Sequence, residues 1–232
     1  MRIKQFRYSA DNLGYIVYGN RSAIIIDGGA VERMLSFVRT NDLEVAYVTN
    51  THSHCDHTAG NRALLEQTDA EFLSTEALLA MGFVELDGEK LHVIHTPGHT
   101  EDSVCFHFDN VLVSGDTLFN GKVGRCFTGD IVSFFHSICR LLELSGETVV
   151  YAGHDYVEEY IEFARKLDPE NPFFDSYMEN YDPALVRATL DSEKKIDPFL
   201  RFNNSDIQSI LAGRGLPADT EMDRWSSLVN LM

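Results

Sequence analysis

Apolar and polar positions alternate from the start of the chain, and Ile3 to Tyr8 has the pattern of a half-buried strand. Leu13 to Tyr18 and Ala23 to Ile26 predict two more strands, joined at Gly19-Asn20, a hairpin-type dipeptide. Ile24-Ile25-Ile26 is apolar without a break, which places it in a sheet interior, and it ends at Asp27-Gly28-Gly29, a sharp turn. Met34, Leu35 and Val38 have helical spacing and predict a helix over 31–41; Glu44 to Thr49 is the next strand. A helix containing Leu64 and Leu65, a short strand at Phe72-Leu73 and a helical turn over 76–80 follow. Strands are then expected at 91–94, 104–108, 111–113 and 148–151, with amphipathic helices over 131–144 and 157–166. From Leu167 prolines at 169, 172, 183, 198 and 217 punctuate helical stretches, and no strand is expected there. Alternating strands and helices predict an α/β domain over 1–166, and the remainder, 167–232, a small helical domain.

Four of these strands end in turns that carry metal-ligand side chains. The strand at 44–49 delivers His52, His54, Asp56 and His57; the others deliver His99, Asp116 and His154. Glycines 98, 115 and 153 precede the ligand in three of the four, and glycine permits the tight turn that brings strand ends together. Sites at the carboxyl ends of strands are a general habit of layered α/β folds. Seven ligands suffice for two metals that each keep an open position. His52, His54 and His99 are expected on the first metal and Asp56, His57 and His154 on the second. Asp116 is the natural bridge, because its strand is distant in sequence from the histidine run. Mixed imidazole and carboxylate donors suit zinc, and also iron or manganese. A water between two such ions has its pKa lowered from near 16 to about 7 and becomes a nucleophile at neutral pH. No Ser or Cys nucleophile is then needed, and Asp56 and Asp116 are the candidate catalytic carboxylates.

Composition narrows the partners. The net charge of -17 over 232 residues argues against a nucleic-acid backbone, while leaving room for a small anion held by a few local cations. Hydrophobic residues at 44% support a sizeable core. Cys55, Cys105, Cys126 and Cys139 form no CxxC pair, and the first residues lack the apolar core of a signal peptide, so a cytoplasmic protein is expected. No apolar run approaches the ~20 residues of a membrane helix, so no membrane association is expected.

Thr51 to His57, Thr96 to Thr100, Ser114 to Phe119 and Gly153 to Tyr156, in that order, resemble the motifs of the metallo-β-lactamase superfamily. The resemblance covers roughly 1–166 and implies an αββα sandwich with two metals at one edge of its two sheets. Within the superfamily the chain is most similar to glyoxalase II, the hydroxyacylglutathione hydrolases. Gly115 to Phe119, Gly124 to Phe127, His154 to Tyr156 and Glu193 to Arg201 carry that similarity. It implies a metal-dependent hydrolase that cleaves a small-molecule thioester or thiol conjugate by attack of a metal-bound hydroxide. By the same resemblance Arg125, Phe127 and Tyr156 contact the substrate. Ser53 and Cys55 replace the His and Trp usual inside the family's histidine run. The last residues, Arg224 to Met232, lack the family's Arg and Lys that grip glutathione. The alternative is a mononuclear iron persulfide dioxygenase on the same fold, which the short side chains inside the histidine run also resemble.

Overall fold

The first three strands form where alternation predicts them. β1 (Arg2–Tyr8), β2 (Asn12–Tyr18) and β3 (Ser22–Ile26) pair antiparallel in sequence in the computed structural model, which describes residues 1–231. The helix α1 (Val31–Thr40) then returns the chain so that β4 (Glu44–Thr49) lies parallel to β3. Two short helices, α2 (Cys55–Thr58) and α3 (Asn61–Gln67), precede β5 (Glu71–Leu73), parallel to β4. These strands make one sheet in the order β1-β2-β3-β4-β5.

After α4 (Thr75–Met81) comes an antiparallel run of β6 (Phe83–Leu86), β7 (Glu89–His95), β8 (Val104–Phe108) and β9 (Val111–Gly115). The amphipathic α5 (Ile131–Leu142) crosses over to β10 (Val149–Ala152), parallel to β9. Beyond it lie α6 (Val157–Leu167), α7 (Phe174–Glu179), β11 (Ala188–Thr189), α8 (Leu190–Ile196), α9 (Ser205–Gly213) and α10 (Glu221–Val229). The second sheet has the order β11-β10-β9-β8-β7-β6.

Side-chain alternation explains the layering. Leu13, Tyr15, Val17, Ile24 and Ile26 meet Leu86, Leu91, Phe106, Val113 and Tyr151 between the sheets. The intervening Ile16, Ala23 and Ile25 face the other way, onto Met34, Leu35 and Val38 of α1. Cys105, Leu112 and Val150 cover the outer face of the second sheet, against Phe134, Ile138 and Leu141 of α5. The result is the expected αββα sandwich: strands buried on both faces, with the unbroken Ile24-Ile25-Ile26 at the centre. The last helix packs on α5 through Trp225, whose ring lies 5.7 to 6.3 Å from those of Phe134, Phe135, Phe199 and Phe202. Among the described residues no helix is long and apolar enough to cross a membrane.

Two strands escape the hydrophobic pattern. β6 is four residues long, and its hairpin to β7 turns on Asp87 and Gly88, both at positive φ. That Asp-Gly pair, with Val84 and Leu86 before it and Leu91 after it, is a hairpin signal in the sequence that the strands expected above do not include. β11 is two residues long, in a stretch expected to hold no strand, and it exists because β10 offers it an open edge.

Two buried carboxyls in α8 and its cap make stability pH-dependent. Burial pushes Glu193 up to about 7, against hydrogen bonds from Asn120, Tyr177 and the Gly121 N–H. Burial likewise pushes Asp197 up to about 8. Both hold protons more tightly folded than unfolded, so their contribution is full below about pH 4 and is lost as the pH rises to about 8. Denaturant melts of Asp197→Asn and the parent chain are expected to show it: between about pH 5 and pH 8.5 the parent loses about 2 kcal/mol or more relative to the variant.

Candidate metal centre

Topology brings the ligand-bearing turns to one edge. β3 and β4 are parallel, so Asp27 and the histidine run leave the first sheet on the same side. In the second sheet β7 and β9 both run antiparallel to β8, and β10 runs parallel to β9, so their three ends also share one edge. All seven expected ligands meet there, in two groups. His52, His54, His99 and Asp116 form one, and Asp56, His57 and His154 the other, with ligand atoms in each group within 4.8 Å of one another.

The glycines before the ligands have specific work. A Cβ on Gly153 would stand 2.1 Å from Asp116 Oδ1, so only glycine lets β10 close on this carboxylate. Gly115 has φ +50, and a Cβ there would meet Thr51 Oγ1 at 2.5 Å.

The rings converge through one nitrogen each. His54 Nδ1 lies 2.9 Å from His52 Nε2 and 3.1 Å from His99 Nε2, and His57 Nε2 lies 3.1 Å from His154 Nε2. The opposite nitrogens are held outside the cluster. His57 Nδ1 donates to Asp27 Oδ2, His99 Nδ1 to the Arg125 carbonyl and His154 Nδ1 to Asp11 Oδ1, at 2.9 to 3.0 Å; His52 Nδ1 sits 3.1 Å from Thr51 Oγ1. The inner nitrogens therefore crowd together in the middle, a pattern that calls for a cation. A Zn–N bond of about 2.0–2.1 Å sets tetrahedral neighbours roughly 3.3 Å apart, close to these separations.

Asp116 joins the two groups. Its Oδ2 is 3.4 Å from His99 Nε2 and from His154 Nε2, and its Oδ1 is 3.4 Å from His57 Nε2. Asp116 Oδ1 is buried and has no hydrogen-bond partner among the described residues, and a metal ion would satisfy it. Asp56 Oδ2 reaches His154 Nε2 at 3.3 Å and is steadied by the Asn12 amide at 2.9 Å. The donor chemistry and the spacing both fit two divalent ions.

Electrostatics separates the groups. Burial pushes His52 down to about 4 and lowers His99, so both are neutral and ready to ligate at neutral pH. Burial acts the same way on His57, but Asp27 and Asp116 outweigh it and hold its imidazole up at about 11. His154 is raised despite its burial, by Asp116 and Asp11. Burial alone would raise Asp116, yet His154 and His57 beside it hold its carboxyl well below the carboxylate range. Metal entering the second group must displace the proton held by His57, whereas buried His52 and His99 in the first group are already neutral. Metal affinity at the second group is therefore expected to rise between about pH 6 and pH 8, by about tenfold per pH unit for each proton displaced. The first group, with His52 and His99 already neutral, should rise less steeply over that range. Competitive chelator titrations at several pH values check both slopes.

The remaining candidates stand around this centre. Phe127 is 58% exposed, and its ring lies 5.5 Å from that of His54 and 5.1 Å from that of His99. Arg125 is exposed and lies over Phe127, 5.3 Å from the ring centroid. Tyr156 stacks on His154 at 4.9 Å with the rings nearly parallel. Ser53 and Cys55 are exposed and lie outside both donor groups. Asp155 is not the orienting partner of a ligand histidine, nor is it solvated: it is buried, paired with Arg7, and accepts from Tyr181 OH. Asp11 holds His154 instead. Sequence reasoning missed Asp11, Asn12 and Asp27 in this role. Only Asp27 left a signal, a carboxylate at a strand end beside the ligand strand.

The profile described as "Metallo-beta-lactamase superfamily" matches residues 12–82 and 79–154, and that described as "Hydroxyacylglutathione hydrolase C-terminus" matches 155–226. The chain is 31% identical to a hydroxyacylglutathione hydrolase of Idiomarina loihiensis, over 95% of the chain and 92% of that relative. It is 33% identical to a hydroxyacylglutathione hydrolase of Nitrosomonas europaea, over 92% and 88%. Among solved structures it superposes on ETHE1 from Myxococcus xanthus with a TM-score of 0.70 at 22% identity, over 99% of this chain and 90% of that one, a likeness of fold.

Proposed function

Because the chain belongs to the metallo-beta-lactamase superfamily, and within it to the hydroxyacylglutathione hydrolases, we propose that it hydrolyses a thioester with the help of bound divalent metal ions. The observation that carries this reading is the pair of donor groups sharing Asp116. Two ions, with zinc the first expectation and iron or manganese suited to the same donors, would supply Lewis acidity that activates water and polarises the thioester carbonyl. His52, His54 and His99 would hold one ion, Asp56, His57 and His154 the other, and Asp116 both.

The chain's own residues do the rest. Asp11, Asp27 and the Arg125 carbonyl fix the tautomers of His154, His57 and His99, so the lone pairs point inward without reorganisation. Asp56 at the mouth of the site has its Oδ2 held by the Asn12 amide, and its carboxylate would take up a proton released there. Four of the five site histidines have their outer nitrogen engaged and are not free to serve as general acids. A thiolate, whose conjugate acid has a pKa of about 8.5, leaves without protonation, which suits a thioester better than an amide. Arg125 and Phe127 form the cationic and apolar rim that meets the thiol carrier, and Tyr156 lines the opposite side.

Arg125→Ala is expected to raise KM about tenfold for an anionic thiol carrier and to leave kcat within about threefold, since the contact is the same in ground and transition states. The finer reading, a hydroxyacylglutathione as the substrate, is tested with a panel on the purified chain. The panel comprises lactoylglutathione, bacillithiol and coenzyme A thioesters, and glutathione persulfide. Hydrolysis of a thioester is expected; turnover of the persulfide alone would overturn the reading.

A further inference from the structure

Between α6, α7, β11 and α8 lies a cavity of about 410 Å³, within the size range of small-molecule sites. Phe173, Tyr177, Tyr181 and Val157 give it an aromatic and apolar wall, and Arg187 and Lys195 supply two exposed cations. Among the described residues no carboxylate lines it, on a chain with a net charge of -17. The neighbouring acids are already committed. Glu193 is fully buried and accepts from Tyr177 OH, Asn120 Nδ2 and the Gly121 N–H, while Asp155 accepts from Tyr181 OH and pairs with Arg7. The lining is completed by Asn120, only 2% exposed, whose Oδ1 is buried and has no hydrogen-bond partner. A buried acceptor in this state is unfavourable until a donor reaches it.

We propose that this cavity is a second, non-catalytic binding site for a small organic oxyanion that carries an O–H or N–H donor. The oxyanion sits between Arg187 and Lys195, the body lies against Tyr177 and Tyr181, and the donor lies against Asn120 in the cavity wall. Carboxylates and phosphomonoesters share this chemistry. Asn120 is four residues from Asp116 and Val157 three from His154, so an occupant adjoins both segments that carry these ligand-type residues.

The test is a fluorescence titration of the metal-loaded full-length chain with anilinonaphthalene sulfonate, an aromatic anion with one N–H. One site per chain is expected. Its affinity should fall at least tenfold in the Arg187→Glu/Lys195→Glu double variant and be lost when Ser176→Trp fills the cavity without changing its charge. The Arg62→Glu/Lys90→Glu double variant, which changes the net charge equally elsewhere on the surface, should bind as the parent does. Competition with malate and with glycerol phosphate distinguishes the two sources of oxyanion, and displacement by either supports the site. Displacement by neither, an equal loss in the control double variant, or unchanged binding in Ser176→Trp would overturn it. Thermal melts of each variant establish that it is folded.

Discussion

Asp116→Ala is expected to lower kcat/KM for thioester hydrolysis by about 10⁴-fold or more, a loss of ~5.5 kcal/mol of transition-state stabilisation. Asp116 is the one carboxylate within 3.4 Å of histidines in both donor groups. Without it each group keeps three ligands, but their common anion is gone and the ions lose their fixed spacing. Metal content should fall from about two ions per chain toward one or none, while circular dichroism stays native. Asp116→Asn preserves the shape and removes the charge, so it should retain more metal than Ala and still hydrolyse poorly. Unchanged hydrolysis with metal content intact in Asp116→Ala would refute the bridging role.

Asp27→Ala should have the second largest effect, although Asp27 is not among the seven expected ligands. This carboxylate is fully buried and accepts three hydrogen bonds, from the Thr51 N–H, Thr51 Oγ1 and His57 Nδ1. It fixes the start of the ligand turn and the tautomer of His57 together. Its backbone is left-handed, at φ +53, a conformation that suits Asp or Asn better than Ala. Removing it leaves three buried donors unpaired, which costs about 3 kcal/mol or more of stability. Metal affinity at the second group should drop about 10- to 100-fold. Asp27→Asn keeps the backbone preference and part of the hydrogen bonding, so it should fold better than Ala while still weakening the metal. Urea melts and metal titration on both variants separate the two effects.

These residues also show how far the sequence was legible. The two-residue period of Leu13-Tyr15-Val17 and the unbroken Ile24-Ile25-Ile26 identify the central strands, because a strand's burial pattern is written in its own side chains. The seven ligand-type residues were legible for a related reason: each stands at the end of an apolar strand, and strand ends collect at a sheet edge. Asp11, Asn12 and Asp27 were not legible as partners of the ligands. Their contacts cross 143, 44 and 30 residues of chain, and nothing local distinguishes them from ordinary turn residues. β11 was hidden in the same way, since a two-residue strand is created by the edge it joins. The cavity beside α7 depends on Asn120 and Glu193, 73 residues apart, and no periodicity announces it. Asp155 is next to His154 in sequence, yet its carboxylate pairs with Arg7 and Tyr181 instead, which proximity along the chain does not reveal.

The most direct test is stepwise loading of the metal-free chain with a single divalent cation, with hydrolysis of lactoylglutathione and oxygen uptake on glutathione persulfide followed on the same sample. The two donor groups lead to saturation at about two ions per chain, with thioester hydrolysis appearing as the second ion binds and no oxygen consumed. Saturation at one iron per chain, with oxygen uptake on the persulfide and no thioester hydrolysis, would contradict it.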